Sequence, residues 1–183
     1  IDRFIPDDVE PKSAESFKLK SIVIISFLVG NSGFPFMVLF FFIGQPRVGF
    51  IVLWTWIIFM CIPFLVQKKA KSNLLAHFLA GNYFQCHFFL CLLWGGVEAP
   101  NMMWFTAIPI VSMLVGGLRH GVIWGLIAGL TILTFYGLEY NGNIQFHSTL
   151  TPVHQKFILS FGAVGLLAAV LGSTAAFDFL RIA

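Results

Sequence analysis

The sequence predicts an all-α integral membrane protein, a bundle of six transmembrane helices with short loops and both termini cytoplasmic. Three observations predict it. Apolar residues make up 58% of the chain and charged residues 10%, at a mean hydropathy of +0.88, whereas soluble domains carry about 45–50% and about 25%. Six apolar runs, residues 21–44, 48–67, 73–94, 102–118, 122–140 and 157–177, come near the length of about 20 helical residues that a hydrocarbon layer requires. The strong bases divide unevenly between the two sides that six crossings define. Arg3, Lys12, Lys18, Lys20, Lys68, Lys69, Lys71, Arg119 and Arg181 fall on one side, and Arg47 and Lys156 on the other. The base-rich side is expected to be cytoplasmic.

Residues 1–20 form the one long polar segment and are expected to be cytoplasmic. Acidic residues crowd its start, and the apolar run after it is too long for a signal-peptide core. Ser13 is placed to cap a short helix carrying Phe17 along the membrane surface, with a flexible tail as the alternative. The first residue is Ile1, so we expect a processed chain or a piece of a longer one. Residues 21–177 are read as the six-helix domain and 178–183 as the start of a cytoplasmic signalling helix whose output domain lies outside this sequence.

The spans carry internal marks. Pro35, Pro63 and Pro109 each remove a backbone donor inside an apolar run and predict local kinks. Gly121, Gly125 and Gly129 repeat a small residue every fourth position, a pattern that lets a neighbouring helix approach closely. In the sixth run Gly162, Gly165, Ala169, Gly172 and Ala176 follow a 3-4-3-4 spacing that continues to Phe179 and Ala183. That seam is the expected contact of a homodimer.

Polar residues inside the runs are Asn31 and Ser32 in the first, His77, Asn82, Gln85 and His87 in the third, and Thr131 and Thr134 in the fifth. Hydrogen bonding between helices is the favoured reading of this set, and a polar pocket the alternative. His87 and Cys91 lie four apart on one helical face, with His147 and His154 in an outer loop. No C-x-x-C, H-E-x-x-H or paired carboxylates accompany them, so neither metal nor cofactor is expected. Cys61, Cys86 and Cys91 sit in apolar runs and read as small hydrophobes. Catalysis has no G-x-S-x-G, P-loop or acid pair to rest on. The basic residues flank spans and form no stripe, which excludes nucleic acid as a partner.

The chain's organising stretch runs from Trp94 to Arg119. A Gly95-Gly96 turn, the carboxylate of Glu98 and a Pro100-Asn101 helix start form a tight outer hairpin between the third and fourth spans. The other outer connections are residues 45–47 and the longer 141–156, which begins N-G-N and contains Thr151-Pro152. Around the hairpin the candidate ligand-binding residues are Trp94, Glu98, Trp104, Glu139, Tyr140, His147 and His154. Twenty-two Phe and the scarcity of charge inside the spans favour a small apolar or amphipathic ligand, or a lipid, entering from outside.

The motifs together resemble a known module. R-F-I-P at Arg3 to Pro6, G-Q-P after the first span, W-G-G-V-E-A-P-N-M-M-W, I-P at Ile108, G-G-L-R-H-G-V-I-W-G and Y-G-L-E-Y-N-G are similar to the bacterial six-helix membrane sensor module at the N-terminus of sensor histidine kinases, often hybrid ones, and of some cyclases. Trp94 and Ala99 depart from the pattern, and both lie in the outer turn. The resemblance implies a multi-pass receptor of the bacterial inner membrane that relays a stimulus through the sixth helix to a dimeric cytoplasmic kinase, with no enzyme activity in this segment. A nucleotide-cyclase receptor, a passive dimerising anchor and a small secondary transporter are the competing expectations. The transporter rests on Pro35 and Pro109 corresponding in a three-plus-three repeat.

The orientation has a direct check. In a chain with Cys61→Ser, we expect a membrane-impermeant thiol reagent applied to intact cells to label His147→Cys and to spare Lys69→Cys. Labelling of Lys69→Cys alone would invert the topology.

Overall fold

The computed structural model describes residues 1–142 and 146–182, the side chains of residues 176, 177 and 179–182 aside. Six α-helices follow one another: α1 (Ala14–Phe42), α2 (Pro46–Gln67), α3 (Ser72–Trp94), α4 (Ala107–Gly116), α5 (Leu118–Tyr140) and α6 (Pro152–Ile182). There is no strand among the described residues. α1, α2, α5 and residues Pro152–Ala175 of α6 are long and apolar enough to cross a membrane.

Ser13 does cap a helix, accepting a hydrogen bond from the Ser16 amide at 3.1 Å. The helix it opens is α1 itself, continuous to Phe42, preceded only by a three-residue 3-10 turn at Asp2–Phe4. The polar N-terminus is tied to the bundle. Asp2 pairs with Lys20 at 2.7 Å and Asp8 with Lys69 at 2.8 Å, and each lysine's hydrogen bond holds its carboxyl below the usual range. Gln67 donates to the Arg3 carbonyl at 2.9 Å, and Phe4 sets its ring edge-on to Phe27 and Phe64.

The fourth apolar run does not make one spanning helix. Pro100–Thr106 is a 3-10 segment, and α4 is only 10 residues long, about 15 Å at 1.5 Å per residue. Pro109 therefore falls in the first turn of α4, just after the 3-10 segment ends at Thr106, and not in the middle of an α-helix. Pro35 and Pro63 do lie inside α1 and α2, as expected.

Burial separates a core helix from peripheral ones. In α3, 12 residues are buried, among them Asn82, Tyr83, His87 and Trp94; in α5, of the same length, only Gly121, Ala128 and Phe135 are. The polar residues that lower the hydropathy of α3 are thus mostly enclosed, while Leu126, Leu130 and Leu133 of α5 face outward. Two of the three α5 glycines lie at close contacts. A methyl at Gly121 would meet the Pro109 carbonyl at 3.1 Å, and one at Gly125 the Pro109 ring at 3.4 Å, so α5 packs on α4 there. Gly129 has open space around it.

α1 crosses α2 at similarly close range. A methyl at Gly30 would lie 2.9 Å from Cβ of Phe59 and 2.6 Å from Cε of Met60, whereas one at Gly33 would meet only Val52, at 3.6 Å. Phe59 is fully buried and its Cβ moves only with the backbone. Gly30→Val is expected to destabilise the detergent-solubilised protein by about 1–3 kcal/mol, read as a lower thermal midpoint, while Gly33→Ala leaves the midpoint nearly unchanged.

Candidate ligand cavity

α3 stops at Gly95, whose φ of 103° only a glycine takes up readily, and Gly96 follows at φ 62°. These two residues turn the chain into the 3-10 segments Gly96–Glu98 and Pro100–Thr106. The return is fixed by Asn101, which is buried and donates from Nδ2 to the His87 carbonyl at 3.0 Å. The segment is thereby drawn beneath the end of α3, and Trp104 enters the bundle.

Trp104 is 7% exposed and Trp94 1%, so both hairpin tryptophans face the interior and do not serve as surface anchors. Trp104 lies parallel to the His87 ring at 5.3 Å and 10°; Tyr83 meets His87 edge-on at 4.7 Å; Phe36 of α1 stands perpendicular to Trp104 at 5.9 Å. Trp94 packs edge-on against Phe40 at 5.1 Å. Each such pair contributes about 0.5–1.5 kcal/mol beyond the area it buries.

Behind these rings lies a cavity of about 70 Å³ whose walls come from α1, α2, α3, the hairpin and α6, the last through Ile158 and Gly162. At about 10–15 Å³ for one water it has room for several heavy atoms. No Asp, Glu, Lys or Arg lines it. Four of its lining residues hold buried polar atoms without a hydrogen-bond partner: Trp56 Nε1, His87 Nδ1, Trp94 Nε1 and Asn101 Oδ1. Buried polar atoms are nearly always paired, and the exceptions call for a reason.

The remaining polar residues of the spans divide. Asn82 Nδ2 donates to the Thr55 carbonyl at 3.1 Å, joining α3 to α2, and Trp124 Nε1 donates to His77 Nδ1 at 3.2 Å, joining α5 to α3. The Thr131 and Thr134 hydroxyls return to their own helix. Asn31 and Gln85 are exposed. Interhelical bonding accounts for Asn82 and His77, and the pocket reading for His87.

Of the outer candidates, Trp94 and Trp104 line the cavity, and Glu98, Glu139, Tyr140, His147 and His154 do not. Glu139 accepts from the Val97 amide at 3.0 Å and so locks the hairpin to α5. Glu98, Tyr140 and His147 are exposed, and His154 is half-buried at the start of α6. The loop into α6 covers the hairpin. Gln45 donates to the Thr149 carbonyl at 3.1 Å, the Thr149 hydroxyl reaches the Leu93 carbonyl at 3.3 Å, and Leu150 is buried. No group of three metal-ligating side chains occurs among the described residues.

The α6 seam turns partly inward. Methyls at Gly162 and Gly165 would meet Trp104 at 3.4 Å and Phe36 at 3.1 Å of the same chain, and Ala169 packs on the core. Gly172 has nothing within 4 Å. The side chains of Ala176 and Phe179, and Ala183, lie outside the described residues. No family model, curated protein or solved structure matches the chain.

Tyr83 and Asn101 are missed by the sequence reading, which has His87 only in the pocket and metal alternatives, although Tyr83, His87 and Trp94 at i, i+4 and i+11 share one helical face. Glu139→Leu removes the acceptor for the partly buried Val97 amide and is expected to cost about 1–3 kcal/mol, while Glu139→Gln keeps an acceptor oxygen and loses less. Gly96→Ala forces a methyl into the Glu139 carboxylate at a left-handed φ and should behave like Glu139→Leu. Thermal midpoints of the three variants check the ranking.

Proposed function

We propose that this chain is the membrane input domain of a bacterial sensor histidine kinase, crossing the cytoplasmic membrane six times with both termini inside. α3 and the Pro100–Gly116 segment complete the count, the first carrying its polar residues into the core and the second crossing as 3-10 and α-helix in series. One observation carries the reading: α6 is both a wall of the cavity and an unbroken helix of 31 residues. At 1.5 Å per residue it is about 46 Å long, well beyond a hydrocarbon core of about 30 Å. Whatever repositions Ile158 and Gly162 therefore moves a rigid rod whose far end projects from the cytoplasmic face. The kinase that the rod would drive belongs to a longer parent chain.

In this reading the second copy joins along the cytoplasmic half of α6, from Gly172 onward. The outer half of the seam, at Gly162 and Gly165, is already engaged by Trp104 and Phe36. A stimulus then acts by favouring one of two packings of α6, and about 1–3 kcal/mol of coupling changes output by about 5–150-fold.

In the full-length parent, Gly162→Leu fills the cavity from the α6 side and is expected to shift basal autophosphorylation by about fivefold or more. Val164→Leu, on the outward face of α6, should leave it unchanged. Phosphotransfer from labelled ATP measures both. Equal, wild-type output from the two variants would remove the cavity from the signalling path, and cyclic-nucleotide synthesis in place of phosphotransfer would assign the cyclase class.

A further inference from the structure

We propose that the cavity is a water site, occupied by a single file of about five molecules that joins α1, α2, α3 and the hairpin through hydrogen bonds the chain does not complete by itself. The inference goes beyond the sensor reading: it requires the chain to lie in a membrane and not that it signal.

Shape sets the first limit. The lining residues of α1 run from Val29 to Phe40 and those of α3 from Tyr83 to Trp94, about 16 Å along either helix at 1.5 Å per residue. A volume of about 70 Å³ drawn out over that length is one water wide, at about 10–15 Å³ for each molecule. A cavity of about 150 Å³ is what takes a benzene, so a ring does not fit.

The polar atoms set the second limit. Trp56 and Trp94 Nε1–H only donate. Asn101 Oδ1 only accepts, its orientation fixed by the bond from Nδ2 to the His87 carbonyl, and His87 Nδ1 does either according to its tautomer. All four atoms are unpaired, and Trp94, His87 and Asn101 are each more than nine-tenths buried. Ser32 and Thr55 add two acceptors to the walls, because each hydroxyl has given its hydrogen to its own helix, at 2.7 and 2.9 Å. The occupant therefore has to donate at some points and accept at others. An apolar occupant, the kind that composition suggests, would leave every one of these atoms unpaired, and an ion would face no opposite charge, since no ionised side chain lines the cavity.

The polar atoms also lie at separate levels. Trp56 packs on Phe34 at 6.0 Å and Trp94 on Phe40 at 5.1 Å, and these two phenylalanines are about 9 Å apart along α1. One molecule small enough for the cavity does not reach both indoles; several waters in line do. The file connects Ser32, Trp56, His87, Trp94 and Asn101 at atoms that make no bond to one another, and each water finds the two to four partners it needs among these atoms and its neighbours in the file.

The test is a rotating-frame Overhauser measurement from water to indole protons. The whole chain, labelled with ¹⁵N-tryptophan, is held in dodecylphosphocholine micelles, and each of the five indole signals is assigned from its own Trp→Phe variant. Direct cross-relaxation and chemical exchange have opposite signs in this experiment and are told apart. The Trp56 and Trp94 N–H groups are expected to show water protons. Trp54, two residues from Trp56 on α2 but 59% exposed on its outer face, should show the acyl protons of the detergent. Gly162→Leu, which enters the cavity from the α6 side, should cut the water signals of Trp56 and Trp94 by about half or more, with circular dichroism unchanged.

Absence of water at Trp56 or at Trp94 overturns the file. Acyl protons at Trp56 in place of water overturn it too, and assign the cavity to a hydrocarbon chain. Water signals unchanged in a correctly folded Gly162→Leu place the water outside the cavity, with the same result. Should that variant not fold, the contrast between Trp54 and Trp56 in the unaltered chain decides alone. Hydration is read here without any kinase. Water at both indoles together with an output indifferent to Gly162→Leu would refute the sensor reading and keep the site, and dry indoles with an altered output would do the reverse.

Discussion

The hairpin end of this bundle depends on one amide. Asn101 is 3% exposed and donates one hydrogen bond from Nδ2 to the carbonyl of His87, a buried residue of α3. Away from water, an amide donor left alone costs about 1–3 kcal/mol, so the segment that carries Asn101 has to lie against α3. That condition turns a 17-residue apolar stretch, Pro100–Gly116, into a 3-10 segment followed by a short helix. It also brings Trp104 parallel to the His87 ring. Asn82 does the equivalent lower in the bundle by donating to the Thr55 carbonyl. The two amides fix α2, α3 and the hairpin relative to one another, and the cavity is the space their geometry leaves against α1 and α6.

Much of this was legible in the sequence. Composition and run length give six helices, and Gly95, Gly96 and Pro100 mark the hairpin. Gly121 and Gly125 mark a close contact, which proves to be with α4 at Pro109. The fourth run misled because hydropathy does not distinguish a 3-10 segment from an α-helix; Pro100 and Pro109 bracket the change, but a proline in the first turn and one in mid-helix look alike without the helix boundary. The seam in α6 misled in part because small residues promote close approach to any helix, and spacing does not say whether the partner is in the same chain. For Gly162 and Gly165 it is.

The site itself was half legible. Trp94 and Trp104 stood out as aromatics flanking a turn, but span-end tryptophans are ordinary interfacial residues, and nothing local says that these two point inward. The direction comes from tertiary contacts with Phe40, Tyr83 and His87. Glu98 and Glu139 looked equivalent, two carboxylates at one membrane face. Glu139 reaches the Val97 amide and Glu98 stays in the open, a difference set by the left-handed turn at Gly96. His87 was hidden by the opposite error, since a lone histidine in an apolar helix is usually a hydrogen-bonded packing residue and its ring nitrogen here has no partner.

The way α6 is held bears on which helix can respond. Asn82 and Trp124 join α3 to its neighbours through hydrogen bonds, and each such bond must break before α3 shifts. Among the described residues of α6, the Thr174 hydroxyl returns to its own backbone, and Gln155 and the His154 amide reach only the loop that leads into the helix. Its contacts with α1 and the hairpin are apolar: Phe161 on Phe36, and Gly162 and Gly165 against Trp104 and Phe36. Packing of this kind has no angular requirement beyond shape, and small side chains leave little to rearrange when one helix slides on another. Under the proposed sensor reading, a change of about 1–3 kcal/mol would be enough to move α6 between packings, while the hydrogen-bonded frame of α2, α3 and the hairpin stays in place. A cavity that shares walls with both the fixed frame and the loosely held rod is where a small molecule would bias that choice.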